Sequence, residues 1–392
     1  MREVVIISAA RTAIGAFQGG LSRIPATVLG AYAIVEAMNR AGIVSDDVDE
    51  VIMGNVLPCG LGQNPARQAL IKAGLPHQVE AVTINKVCGS GLKAVMMAAQ
   101  AIMVDDADII IAGGMESMNL APYFLAKART GYRMGNDKLL DSMIFDGLWC
   151  HINDFHMGMS AELCAEKYDV TREDQDAFAL HSYKKALKAQ AERAFDREIF
   201  PVEIPQRKGL QVLFDKDEVV RETSLEALAR LNPAFKKDGT VTPGNASKIS
   251  DGAAAVVLMA REKADALGLR AMARVGAQCS IGTDPKYVLV APIHGIPKVL
   301  DKAGLSVDDI EIFEINEAFS SSSVAIIKTL GLNPEKVNLR GGAVAMGHPI
   351  GASGARVLVT LIHLMEDRGA KRGLASLCLG GGEAVCLIVE RD

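Results

Sequence analysis

Three stretches of this chain recur, in the same order, in its two halves. AGIVSDDVDEVIMGNV from Ala41 matches AGLSVDDIEIFEINEA from Ala303, each a glycine-ended helix, an acidic turn and a strand. CGSGLKAVMMAAQAIM from Cys88 matches GASGARVLVTLIHLM from Gly351, and ADIIIAGGMES from Ala107 matches GLASLCLGGGEA from Gly373. Three ordered matches constrain the chain to two copies of one structural unit. The unit itself is α/β. EVVIISA, EVIMGNV, ADIIIAGG, AAAVVLM, IEIFEIN and EAVCLIV are short and apolar nearly throughout, as strands covered on both faces are. Helical patterns such as ATVLGAYAIVEAMNRAG and GLKAVMMAAQAIMVDD alternate with them, which predicts parallel sheets.

The segment from about Asn119 to Ser247 breaks the repeat. It carries the only tryptophan, several polar helices and the turn-rich NPAFKKDGTVTPGNAS, and it reads as an insertion of the kind that brings substrate contacts to an α/β scaffold. The expected division is 1–118 plus 248–270 for the first half, 119–247 for the insertion and 271–392 for the second half. Several other classes are disfavoured. The net charge of −5 and the absence of a long Lys/Arg run argue against nucleic acid as a partner. No charge-free run is long enough for a membrane span, and MREVVIISAARTAIGAF reads as a buried strand and not a signal segment. Seven scattered cysteines, with no C-x-x-C pair, point away from a disulfide framework or zinc ribbon and towards a reducing cytoplasm.

Chemistry concentrates at glycine-rich strand ends. Cys88, in NKVCGSGLKAV, stands where a strand ends and a helix begins, so the helix dipole is expected to lower its pKa; the alternative is a small buried residue in a tight turn. Ser90 lacks a G-x-S-x-G elbow. His348, in AMGHPIGASG, falls near the counterpart of Cys88 in the second repeat, which would bring both to one cleft as nucleophile and base; by itself it reads as a packed or capping histidine. Cys378 precedes Gly380, Gly381 and Gly382, a bare loop that can present N–H groups to an oxyanion. Asn316, in EINEAF, is either a polar group at a strand end or a helix cap, and Glu317 beside it could orient a neighbour. The five-residue spacing in HINDFH suits no metal motif, and no P-loop or G-x-G-x-x-G is present.

Taken together, SAARTAIGAFQGG, NKVCGSGLKAV, AGGMESM, HMGMSAE, GTVTPGNASKISDGAAA, NEAF, GGAVAMGHPIGASGAR and CLGGGEAV resemble the thiolase family over nearly the whole chain. The resemblance implies two βαβαβαββ halves in a five-layered α/β/α/β/α arrangement, with an inserted loop domain that contributes to a homotetramer and to coenzyme A binding. It implies a ping-pong reaction in which two acetyl-CoA give acetoacetyl-CoA and CoA, and the reverse thiolysis. Coenzyme A and its thioesters are substrates, and no metal or permanent cofactor is implied. Carried over, Cys88 becomes acylated, His348 is its base and Cys378 moves the α-proton. Asn316, through a water, and His348 match the enolate side, while the N–H groups of Cys88 and Gly380 match a second oxyanion hole. Ser247 matches a pantetheine contact and Arg221 a position near the adenine nucleotide, and Leu148, His156, Met157, Phe235, Ala246 and Phe319 match the tunnel lining.

His156 in HMG resembles the short-chain, acetoacetyl-CoA branch. The alternative is a 3-ketoacyl-CoA thiolase for longer chains. Departures from the family pattern bear on that choice: Ser160, the LWCHINDF segment with Trp149 and Cys150 at the expected tunnel entrance, and Lys248, which could place a charge near the cofactor phosphates. A ketoacyl-synthase-like enzyme would not be expected to carry Cys378. A non-catalytic acyl-CoA binder would be expected to lack one of Cys88, His348 and Cys378.

Overall fold

The computed structural model describes residues 1–205 and 211–391; residues 206–210 of the insertion, and Asp392, lie outside the described residues. The first half runs β1 (Val4–Thr12), α1 (Ala26–Ala41), β2 (Glu50–Gly54), α2 (Pro65–Lys72), β3 (Glu80–Ile84), α3 (Ser90–Met103) and β4 (Ile109–Ser117). The chain then leaves the sheet, forms α4 (Met157–Lys167) and α5 (Arg172–Ala191), and returns as β5 (Ser250–Ala260). The second half runs β6 (Ala273–Gly282), α6 (Pro292–Ala303), β7 (Ile312–Ile315), α7 (Ser320–Leu330), α8 (Ser353–Arg368), β8 (Arg372–Leu379) and β9 (Glu383–Glu390). Where the first half has β3, the second has only a bridge between Phe313 and Val337. No helix among the described residues is long and apolar enough to cross a membrane.

The strands follow the order β7-β8-β9-β6-β1-β5-β4-β2-β3, with the two-residue strands Gly15–Ala16 and Ile199–Phe200 attached to β5 and β1. The expectation of parallel sheets needs correction. β2 pairs in parallel with β3 and β4, and β7 with β8, but β1, β5, β6 and β9 pair antiparallel with their neighbours in this order. The reason lies in the connections: a three-glycine turn joins β8 to β9 as a hairpin, and the insertion replaces the crossover helix before β5. β3 was legible only as the strand ending before Cys88, and β6 was not legible in sequence. β3 is largely half-buried and β6 mixes buried and half-buried positions, so neither shows an apolar run.

Side-chain alternation builds the layers. In β5, Ala254, Val256 and Leu258 face a central core with α3 and α8, while Ala255, Val257 and Met259 face α1 and α2. In β9, Val385, Leu387 and Val389 face the same central core, while Cys386 and Ile388 face α6 and α7. The result is outer helices, sheet, central helices, sheet and outer helices, as the resemblance implied. The two sheets meet edge to edge at only two residue pairs, Val5 with Arg274 and Ile6 with Ala273. The repeat persists in detail: α1 and α6 both end on left-handed glycines, Gly42 at φ 69° and Gly304 at φ 68°.

The central helices cross where each carries a glycine. A Cβ on Gly91 would stand 2.7 Å from the backbone nitrogen of Ala355, and one on Gly354 would stand 2.3 Å from that of Leu92. The insertion is held by buried charge. Arg11, fully buried, donates to both Asp217 oxygens at 2.7 and 2.9 Å and to Glu198 at 2.7 Å. Glu198 also accepts from Arg340 at 3.3 Å and from the Thr360 hydroxyl at 3.1 Å, so one carboxylate joins the insertion to both halves.

Gly354→Ala should cost about 1–3 kcal/mol, because the new methyl meets backbone that cannot rotate away. Denaturant unfolding measures it; an unchanged midpoint would contradict so close a crossing.

Candidate active site

Cys88 is presented by a strained turn. Between β3 and α3, Val87 has φ 47°, a left-handed conformation that is unfavourable for a β-branched residue. Strain of this kind costs about 1–3 kcal/mol and persists only when its surroundings impose it. Here Asn85 Oδ1 accepts the Val87 N–H at 2.9 Å, and the Ser90 hydroxyl accepts the Lys86 N–H at 2.8 Å while donating to the Val87 carbonyl at 2.7 Å. Ser90 is therefore spent on the turn, consistent with its poor standing as a nucleophile.

His348 is fixed by the matching serine of the second repeat. Ser353 Oγ donates to the Pro349 carbonyl at 2.9 Å and lies 2.6 Å from His348 Nδ1. With the serine proton committed, Nδ1–H is the donor to Ser353, and the Nε2 lone pair is left facing the cavity side. Asn316 Nδ2–H donates to that Nε2 at 3.4 Å, so Asn316 belongs with the histidine; the cap position of α7 is held by Phe319. Two buried carboxylates hold the loops around this ring. Glu317 accepts from Ser182 Oγ, Asn338 Nδ2 and the Val344 N–H. Glu116 accepts from the N–H groups of Val56, Leu57 and Gly351 and from Asn55 Nδ2. Ser353 and Glu116 were not singled out from sequence, although the alignment of Ser353 with Ser90 in the repeat was the available signal.

Cys378 ends β8, buried, and Gly381 and Gly382 follow in left-handed conformations at φ 90° and 89°. The Gly380 N–H of that turn and the N–H of Cys88 itself lie close enough to the Cys88 sulfur to favour its thiolate. The expected depression of the Cys88 pKa is not found. Burial pushes the thiol up to about 12, against the pull of those two N–H donors. Burial pushes Cys378 up as well, with Cys88 close enough to add to the effect. Burial, and Arg356 second, push His348 down to about 3. The resting site is thus two thiols and a neutral imidazole, able to pass a proton when a reacting group arrives but not charged beforehand.

Cys88, His348, Cys378 and Gly380 line one mostly apolar cavity of about 590 Å³, and so do Leu148, His156, Met157, Arg221, Phe235, Ala246, Ser247 and Phe319. Asn316 lies just behind His348. An aromatic wall runs from His156, stacked on Phe235 at 4.8 Å, to Phe319, edge-on to Phe235 at 6.2 Å. Gly158 makes room for it, since a Cβ there would stand 2.2 Å from the Phe235 ring. His156 caps α4, its Nδ1 accepting the Gly158 N–H at 3.0 Å, and burial lowers its pKa. The three departures differ in their relation to the cavity. Trp149 and Cys150 form a short hairpin with Phe155 and His156 and do not line the cavity. Ser160 donates to the Lys286 carbonyl at 3.1 Å. Lys248 does line the cavity, but its Nζ donates to the carbonyls of Pro243 and Ala246, both at 2.6 Å, and burial with nearby Arg221 lowers its pKa to about 7.

Comparison with known proteins is consistent along the whole chain. Residues 4–262 match the family model described as thiolase, N-terminal domain, and residues 269–391 the one described as thiolase, C-terminal domain. An acetyl-CoA acetyltransferase of Pseudomonas aeruginosa is 56% identical, the match covering 100% of both chains. One from Chromobacterium violaceum is 55% identical over 99% of this chain and 100% of that protein. The crystal structure of the Bacillus anthracis acetyl-CoA acetyltransferase superposes with a TM-score of 0.98 at 42% identity, covering 100% of this chain and 99% of that one.

His348 should stay neutral, with its proton on Nδ1, from pH 8 down to about pH 5, and ¹⁵N NMR of the ring reports this directly; a ring charged at pH 6 would contradict the burial argument. Its ordinary pKa is 6.5 and its folded value about 3, so the unfolded chain takes up the proton first as pH falls. The group's contribution to stability is complete above pH 6.5 and is lost towards pH 3.

Proposed function

The chain belongs to the thiolase family, and from that premise we propose that it is an acetyl-CoA C-acetyltransferase, joining two acetyl-CoA into acetoacetyl-CoA and CoA and running the reverse thiolysis. One observation carries the reading: two cysteines and a tautomer-fixed histidine meet in one mostly apolar cavity. Carbon–carbon bond formation needs a covalently held acyl group, a carbanion equivalent and donors for two oxyanions, and this site has a group for each.

In the first half-reaction, Cys88 sulfur attacks the thioester carbonyl as its proton passes to His348 Nε2, and His348 then gives that proton to the departing CoA thiolate. The N–H groups of Cys88 and Gly380, both near this sulfur, receive the oxyanion. In the second, neutral His348 takes the Cys378 proton, and the Cys378 thiolate removes a methyl proton from a second acetyl-CoA. His348, now charged, donates to the enolate oxygen, with Asn316 acting on the same side through a water. The enolate attacks the acyl group on Cys88, and the Cys88 thiolate that leaves is reprotonated by His348. Every proton is accounted for, and the enzyme returns to its starting state. In thiolysis Cys378 instead protonates the leaving enolate.

The lining assigned to coenzyme A follows the same reading: Ser247, with Leu148, His156, Met157, Phe235, Ala246 and Phe319, faces the pantetheine, and Arg221 the nucleotide. The inserted segment 119–247, the assembly as a homotetramer and a cytoplasmic location belong to this proposal too. Large apolar side chains exposed on the insertion, among them Tyr123, Leu125, Met134 and Leu139, suit a surface covered in an oligomer.

Cys88→Ala should fold but form no acyl-enzyme from radiolabelled acetyl-CoA; retained labelling would overturn the nucleophile assignment. Cys378→Ala should still be labelled yet lose condensation by at least the 10²–10⁴-fold or so typical of a missing general acid–base. For chain length, kcat/KM for acetoacetyl-CoA is expected to exceed that for 3-oxooctanoyl-CoA. Equal or better use of the longer substrate would replace this reading with a longer-chain 3-ketoacyl-CoA thiolase.

A further inference from the structure

Two cysteines outside the cavity stand opposite each other in the second-half sheet. Cys279 of β6 and Cys386 of β9 are direct cross-strand partners in an antiparallel pair. Both face the core beneath α6 and α7. Directly opposed residues have Cβ atoms about 4.5–5.5 Å apart, close to the 3.5–4.5 Å or so that a disulfide needs, and each thiol perturbs the ionisation of the other. Both meet α6 at Gly295. Cys279 Sγ donates to the Gly295 carbonyl at 3.4 Å, and a Cβ on Gly295 would stand 2.8 Å from Cys386 Sγ. The missing side chain leaves both sulfurs the space to adjust.

The two thiols are not equivalent. Cys279 is 8% exposed, and its neighbours Ser280, Ile281, His294 and Lys298 line an open surface depression. The ammonium groups of Lys298 and Lys302 flank it, bonded to the carbonyls of Ser280 and Gln278 on either side of Cys279. The adjacent Cys386 and those two lysines favour its thiolate, whereas burial keeps Cys386 a thiol. Cys386 is fully buried and otherwise touches Ser376 Oγ at 3.3 Å. A thiol flanked by cations just beneath a surface depression, beside a more deeply buried partner, is the arrangement of an attacking and a resolving cysteine.

We propose that Cys279 and Cys386 form a reversible oxidation site that closes to an intramolecular disulfide on exposure to hydrogen peroxide. The Cys279 thiolate attacks one peroxide oxygen, which stays on sulfur as a sulfenic acid; the O–O bond breaks, and the other oxygen leaves as hydroxide and is protonated to water. The Cys386 thiol then attacks Cys279 sulfur and releases a second water. Two thiols and one peroxide become one disulfide and two waters. The inference goes beyond the acyl-transfer reading and does not depend on it, because neither sulfur lines the reaction cavity.

The test is a thiol map of the native full-length protein after brief peroxide treatment, blocking with N-ethylmaleimide, and digestion with trypsin and a protease that cuts after Glu383, which separates Cys378 from Cys386. The expected product joins the peptide of Cys279 to that of Cys386, and dithiothreitol restores both as maleimide-reactive thiols. Cys279→Ser should leave Cys386 reduced under the same treatment; if that variant does not fold, the wild-type map decides alone. Cys279 and Cys386 both alkylated after treatment, or Cys279 oxidised with Cys386 still free, would overturn the proposal. A peptide joining Cys279 to Cys378, or Cys88 to Cys378, without the expected pair would overturn it as well.

Discussion

The close crossing of α3 and α8 is the contact on which the rest of the molecule depends. Gly91 and Gly354 occupy matching positions in the two repeats, and each leaves its backbone bare where the other helix passes. Bulk at either position would push the helix N-termini apart, and with them the two sheets that pack on either side. Because Cys88 and His348 each lie shortly before one of these glycines, the crossing also sets the spacing between these two residues. The matching serines complete the symmetry. Ser90 ties the turn that strains Val87, and Ser353 ties the turn that orients the imidazole. One local solution, used twice, carries two different chemical groups.

Burial then governs the electrostatics. A thiol at a helix N-terminus in water would tend towards thiolate, but the dipole effect is at most about 2 kcal/mol, and desolvation in an apolar cavity outweighs it here. The consequence is a site held neutral until substrate arrives, with backbone N–H groups as fixed donors. Such donors need no reorganisation when charge appears, and they act more strongly without water. The same desolvation lowers the Lys248 pKa to about 7, and its Nζ donates to two backbone carbonyls.

The wall of the cavity that accommodates a long ligand depends on contacts between distant parts of the chain. Glu198 and Asp217 of the insertion are bound to Arg11 of β1, and Glu198 also to Arg340 and Thr360 of the second half. Breaking one member of such a buried set leaves an uncompensated charge and typically costs about 3–5 kcal/mol. The aromatic run His156–Phe235–Phe319 likewise joins two points of the insertion to the end of β7 and start of α7.

The repeat, the alternation of strands and helices, the insertion and the cysteine–histidine set were all legible in sequence, because each is a local pattern or a pairing by symmetry. The resemblance extended that to cavity residues such as Phe235 and Ser247, whose types alone say only that they are apolar or small. What sequence could not determine depends on neighbours far along the chain. Strand direction followed from the hairpin at Gly380–Gly382 and from the return of the chain after the insertion. The histidine tautomer followed from whether Ser353 had already committed its proton to Pro349. The protonation states of Cys88 and His348 followed from how much water the closed fold removes, and desolvation is a property of the packed interior that no single segment carries.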